Sequence, residues 1–195
     1  PMSVFVGSRA LPQSTVPAGR VVYRDGSESR TPVEDWAPGV WKASCGSGEA
    51  VGGLSTNTAD GAGHGALCKP TNLAAASTGT LTKQRRGKRA LPSMSPEVHE
   101  CGEEELVTGI SQSANSDMTF QGLRCTPAAG STVIACEART LAGGAGYTGA
   151  FQDWDSGFYK SECNGDKVMV GVALDDRRKP TKIYCCGVAG ATAVA

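Results

Sequence analysis

Apolar and alternating runs of five to eight residues recur along the chain, each bounded by clusters of Gly, Ser, Asn and Asp. Val51 to Ser55, Leu106 to Ser111 and Lys167 to Leu174 carry this pattern, which is that of strands and hairpins. Helical periodicity is absent. Val4 to Val6, Gly19 to Arg24 and Thr132 to Cys136 read as further strands, and the last could carry an extra cysteine into a sheet. The stretches Thr56 to Gly65 and Gly143 to Gly149 are rich in Gly, Ala, Asn and Thr and read as loops. The expected fold class is all-β.

Sliding the chain against itself reveals three superimposable segments. They run from Asp35 to Cys68, from about Leu91 to Cys125, and from Asp153 to Cys185 or Cys186. Six, eight and nine residues after the leading cysteines Cys45, Cys101 and Cys163 stand Val51, Gly53, Leu54; Val107, Gly109, Ile110; and Met169, Gly171, Val172. The glycine repeated in mid-strand predicts a bulge or a close backbone approach at a shared corner. Two of the segments share a longer signature, Asp-Trp-x-x-Gly-x-aromatic-Lys-x-x-Cys. Its residues are Asp35, Trp36, Gly39, Trp41, Lys42 and Cys45 in the first, and Asp153, Trp154, Gly157, Tyr159, Lys160 and Cys163 in the third. The second segment has Leu91, Pro92, Glu97 and Val98 instead. The expected organisation is a single domain, 1–195, with N-terminal strands in 1–30 and disulfide-closed repeats at 31–70, 88–128 and 150–188. Their pseudo-symmetric arrangement is expected to be a β-prism or trefoil-like, because both are built from three similar β units.

Composition sharpens this picture. Gly and Ala together make up about a quarter of the 195 residues and only 11 are aromatic, so the core must be thin. Eight cysteines, an even number, suggest four disulfides supplementing that core in an oxidising compartment. Eight cysteines allow 105 pairings, but a repeated segment most simply closes on itself: Cys45 with Cys68, Cys101 with Cys125, and Cys163 with one of Cys185 and Cys186. The other of that pair then meets Cys136. Adjacent strand residues point to opposite faces, so Cys185 and Cys186 suit two different bridges. Cys185 is favoured for the segment and Cys186 for Cys136, and the exact pairing of these three stays open. Zinc is disfavoured, since Cys-x-x-Cys pairs are absent and His64 and His99 show no ligand spacing. The 19 basic and 19 acidic residues balance, which removes the electrostatic footprint of a nucleic-acid or anionic-membrane binder. No apolar run approaches the roughly 18 residues of a membrane span. No charged-then-apolar leader opens the chain, which reads as the mature form of a secreted, extracellular protein.

The spacing of Trp, aromatic and Cys, then apolar-x-Gly-aliphatic, then a cysteine two dozen residues on, resembles the threefold β-prism of the vitelline membrane outer layer proteins. Those also close on a strand bearing Cys-Cys. Their Asp-Asp-Thr-Ala-Leu-Asn stretch has no counterpart here. Dermatopontin-like modules look similar, and the full signature is similar to repeats of secreted bacterial proteins that sit beside hydrolase or toxin domains. Cys-rich domains that follow a proprotein-convertase relative or the pore-forming part of apicomplexan perforins share the rhythm. The resemblance covers residues 31 to 186 and implies attachment or recognition outside the cell, without chemistry of its own.

Asp35 with Trp36, and Asp153 with Trp154, could form sugar platforms, an indole stacking on a pyranose while a carboxylate accepts from its hydroxyls. The stronger expectation is structural: tryptophans packing a thin core and aspartates capping the turns before Gly39 and Gly157. Trp41 and Tyr159 are likewise expected in the core, with Lys42 and Lys160 solvated or covering an aromatic face. Loop residues that differ between segments, Tyr147, Asp155 and Phe158, are the better ligand candidates. The basic run Lys83 to Arg89 reads as a solvated loop, or as a site for an acidic glycan or a protease; Gly87 to Pro92 echoes Gly7 to Pro12. Catalysis finds little support, because neither His64 nor His99 lies in a nucleophile motif and neighbouring acids such as Glu103 to Glu105 are usually just solvated. The expected function is that of a secreted non-catalytic module binding a cell-surface or extracellular ligand, carbohydrate first. The alternative is a structural or assembly domain that packs against an attached enzyme, toxin or other partner protein. No cofactor, metal or nucleic acid is expected.

Overall fold

The computed structural model describes residues 20–23, 36–37, 39–71, 80–82, 97–128, 132–142 and 153–189. Among them there are strands and turns but no helix. In chain order the strands are β1 (Arg20–Tyr23), β2 (Val40–Ser44), β3 (Glu49–Thr56), β4 (Gly63–Pro70), β5 (Thr80–Thr82), β6 (Glu97–Glu100), β7 (Glu105–Ser113), β8 (Phe120–Pro127), β9 (Thr132–Thr140), β10 (Tyr159–Glu162), β11 (Val168–Leu174) and β12 (Pro180–Ala189). They form three four-stranded sheets ordered β1-β4-β3-β10, β5-β8-β7-β2 and β9-β12-β11-β6. Val4 to Val6, the basic run Lys83 to Arg89 and the loop Gly143 to Gly149 lie outside the described residues.

The three sheets share one plan. A hairpin (β3-β4, β7-β8 or β11-β12) fills the middle, and the strand next to its first arm comes from elsewhere in the chain. The strand β2 precedes the hairpin β3-β4 yet pairs with β7; β6 precedes β7-β8 yet pairs with β11; β10 precedes β11-β12 yet pairs with β3. Each Cys-bounded segment therefore lends its leading strand to another sheet, and the loans run in a closed cycle. Sequence comparison located the segments but not this exchange. The leading cysteines continue the lent strands, with the N–H of Cys45, Cys101 and Cys163 donating to the carbonyls of Thr108 (2.9 Å), Val170 (2.9 Å) and Gly52 (2.7 Å).

The disulfides then return to each segment's own hairpin, Cys45 with Cys68, Cys101 with Cys125 and Cys163 with Cys185. Because the two ends of each bond belong to different sheets, these three bonds staple the sheets to one another. The fourth, Cys136 with Cys186, joins the neighbours β9 and β12 within one sheet. The pairing is the one that the segment spacing and strand alternation favoured. Four disulfides are compatible with an extracellular protein. No helix among the described residues is long and apolar enough to cross a membrane.

Val51, Val107 and Met169 meet Leu54, Ile110, Val172 and six half-cystines in one buried cluster. A second cluster gathers around Tyr184, Leu106, Val168 and Val170. The segment expected as a loop from Thr56 to Gly65 is shorter than that, because β3 runs to Thr56 and β4 begins at Gly63. Asn57 and Asp60 build the intervening turn by accepting the N–H groups of Ala59 and Ala62 through their side chains.

The mid-strand glycines mark where a lent strand crosses a hairpin. The register skips a residue between Val51 and Gly53, between Val107 and Gly109, and between Met169 and Gly171. A Cβ at Gly171 would stand 2.8 Å from the carbonyl oxygen of His99 and 3.3 Å from the Cα of Glu100, and at Gly53 it would stand 2.9 Å from the carbonyl oxygen of Ser161. These obstacles are backbone atoms of a paired strand and cannot rotate away. Gly171→Ala is accordingly expected to lower the unfolding free energy by about 1–3 kcal/mol in urea titration. Gly187→Ala is the control: its nearest neighbour lies 3.5 Å away, an ordinary contact, and little change is expected.

Candidate functional site

Where the three sheets approach one another the surface opens into a shallow cleft. Trp41 and Ala43 come from β2, Leu54 from β3, Gly63 to Gly65 from β4, Ile110 to Gln112 from β7, Phe120 from β8 and Pro180 from β12. Leu54, Ile110 and Phe120 belong to the core and give the cleft an apolar lining. Trp41 is 39 % exposed. This corrects the expectation that it packs inside, and Tyr159, at the same signature position, is 44 % exposed as well. The reason is position along the strand: Trp41 shares a strand face with the buried Ala43, but burial on β2 begins only at Ala43, and Trp41 stands before it at the rim of the cleft.

Three polar side chains line the cleft, and other contacts hold each of them. Gln112 is only 6 % exposed, and its Nε2 donates to the carbonyl of Gly63 at 2.9 Å, tying β7 to β4. The amide is thereby oriented, with its carbonyl oxygen as the acceptor end. The hydroxyl of Ser111 donates to the carbonyl of Gly122. His64 projects from β4, and its Nδ1 lies 2.9 Å from Oδ2 of Asp155. Its ring stacks on Phe158 with centroids 3.7 Å apart and planes 3° from parallel.

Asp155 and Phe158 sit in the turn that precedes β10. Gly157, with φ +87°, supplies the left-handed residue this turn needs. Asp155 is 5 % exposed. These two loop ligand candidates both contact His64, and they latch the turn onto β4. Asp153 does not cap the turn through its own backbone. It pairs with Lys160, whose ammonium also donates to the carbonyl of Phe158 at 2.9 Å. The hydrogen bond from Lys160 holds the Asp153 carboxyl below its ordinary range, opposed by a smaller desolvation and helped by the charge of Lys160 and by Ser156. Lys160, expected to be solvated or laid over an aromatic face, is buried; Lys42 is half-buried.

Trp36 is half-buried, its indole N–H donating to Oγ of Ser44 at 2.8 Å, and its ring edge lies where a Cβ on Gly109 would come within 3.0 Å. Trp154 is half-buried in the turn before β10. Trp36 lies beside β7 and Trp154 beside the β10 turn, so the two signature tryptophans serve different sheets. Asp35 and Tyr147 lie outside the described residues. Sequence reading missed Gln112, Phe120 and the role of His64. His64 and Asp155 are 91 residues apart, and no local pattern links them.

Other buried ionisable groups brace the fold. Nζ of Lys69 donates to the carbonyls of Cys163 and Gly165; burial draws its pKa down, and Glu162 partly opposes this. Burial, with the charge of Glu100, pushes the Tyr184 phenol up. All eight cysteines are in disulfides, and among the described residues no group of three or more His, Cys, Asp or Glu gathers as a metal site. The hydroxyls of Ser55 and Ser111 donate to the main-chain carbonyls of Gly65 and Gly122. The site offers a flat aromatic rim, an apolar lining and a few oriented polar groups, which suits retention of a ring with one apolar face and a hydroxylated edge. No family model, curated protein or solved structure matches the chain.

Proposed function

We propose that the chain is a secreted, non-catalytic binding module that recognises a carbohydrate in the cleft between its sheets. The observation that carries the reading is the exposed indole of Trp41 beside the oriented amide of Gln112. A sugar ring stacks its C–H face on an indole and directs a hydroxyl to a fixed acceptor, while the formal charge of zero offers no field for a polyanion. The cyclic loan of leading strands supports a three-repeat arrangement, and division of the strands into three separate sheets favours the prism over the trefoil. The four disulfides support secretion, and the resemblance to extracellular three-repeat modules agrees with that.

A glycan array probed with the oxidised protein and with Trp41→Ala tests this. The expected result is retention of a defined glycan, weakened about tenfold or more in the variant, with thermal unfolding nearly unchanged because the indole is outside the core. Retention of no glycan would overturn the carbohydrate reading and move the assignment to the assembly domain. Undiminished binding by a folded Trp41→Ala protein would remove the site from this cleft.

A further inference from the structure

The four disulfides are not equally accessible. Seven of the eight half-cystines are buried, and Cys136 alone is only partly covered. It lies on β9, the edge strand of its sheet, which among the described strands pairs with β12 alone. The ladder is broken at that point: the β12 register skips between Cys185 and Gly187, and Ala135, next to Cys136, has φ +50°. The backbone around Cys136 is therefore the least regular part of the β9-β12 pairing.

We propose that Cys136 is a thiol-exchange site that accepts a low-molecular-weight thiol as a mixed disulfide. The thiolate attacks Sγ of Cys136, a new S–S bond forms, the bond to Cys186 breaks, and the electron pair leaves with Sγ of Cys186. That sulfur takes up a proton from solvent as the strand edge loosens, because apolar surroundings disfavour the thiolate. Attack in the opposite sense is closed off, since Cys186 is buried. The exchange does not spread to the next bond: Cys185 points to the other face of β12, where it is bonded to Cys163. Opening also spares the three bonds that staple the sheets, so the core persists and β9 is left on its hydrogen bonds to β12. Reversal is built in, because the Cys186 thiol remains beside Cys136 and expels the small thiol when its concentration falls.

The test uses the native oxidised protein in millimolar reduced glutathione at mildly alkaline pH, trapped in denaturant with excess N-ethylmaleimide at mildly acidic pH and read by peptide mass spectrometry. Glutathione is expected on Cys136 and alkyl on Cys186 in matching amounts, with the other six cysteines still paired and the near-UV circular dichroism retained. Opening of any inter-sheet bond as early, glutathione preferentially on Cys186, or no adduct until denaturant unfolds the chain would each overturn the proposal. The paired variant Cys136→Ser, Cys186→Ser is expected to show no adduct under the same conditions; an undiminished adduct would count against the site. Should that variant fail to fold, the native-state labelling order still decides.

Discussion

A chain ending at Gly149, with residues 150–195 removed, is expected to show no cooperative unfolding transition. Two of the three sheets lose strands, and the core shared by all three is depleted. The first loses β10, which pairs with β3 through Tyr159 to Glu162. The third loses β11 and β12, its two central strands, and with β11 the one partner of β6 among the described strands. The shared cluster loses Met169, Val172, Leu174 and Ile183, all four fully buried beside the aliphatic residues of the other hairpins. Cys163 and Cys185 depart together, so no thiol from that bond remains, but Cys136 is left without Cys186. Each of the large apolar residues contributes about 1.5–3 kcal/mol by burial, and a domain is stable by only about 5–15 kcal/mol. Urea titration followed by near-UV circular dichroism and tryptophan fluorescence checks this. A cooperative transition in the shortened chain would mean that the lent strands are dispensable and that each segment folds on its own hairpin.

Complete reduction is expected to have an effect of similar size. The inter-sheet bonds span 23, 24 and 22 residues, and closure of a loop of that length restricts the unfolded chain by about 3 kcal/mol. Three such bonds together approach the whole stability of an ordinary domain. The folded side has little to set against their loss. In the main cluster the half-cystines are themselves a large part of the buried apolar material, alongside small residues such as Ala43 and Ala66. The reduced, alkylated protein should therefore lose its near-UV signal and its resistance to proteolysis at room temperature. The paired variant Cys45→Ala, Cys68→Ala should lose about 2–5 kcal/mol by itself. A reduced chain that still unfolded cooperatively would show that the apolar clusters suffice without their cross-links.

The two expectations also mark out what strand patterning can and cannot reveal. Val51 to Ser55, Leu106 to Ser111 and Lys167 to Leu174 lie almost wholly within β3, β7 and β11, because alternation and bounding glycines are local properties. Gly19 to Arg24 and Thr132 to Cys136 fall on β1 and β9 for the same reason. The repeated glycine is legible because a missing Cβ is demanded at each of three crossings. Trp41 and Tyr159 were misplaced because both stand at the start of their strands, ahead of the stretch that the neighbouring sheets cover, and that coverage is not a local property. Asp155 and Phe158 were legible as loop residues before β10, but their contacts to His64 were not, because that residue lies on a strand far away in the chain.

The order of amino acids by itself determined β1, β3, β7, β9 and β11, the cysteine-bounded segments, the corner glycines and the favoured disulfide pairing, all of which follow from spacing along one chain or from alternation across one strand. Only the tertiary structure decided that each leading strand serves another segment's hairpin. It also brought Gln112 to Gly63 and Asp155 to His64, and left the indole of Trp41 at the mouth of a cleft. The reason is physical: those features depend on pairing between strands distant in the chain, where many registers offer similar local energy, and the shared core and the three inter-sheet disulfides select among them.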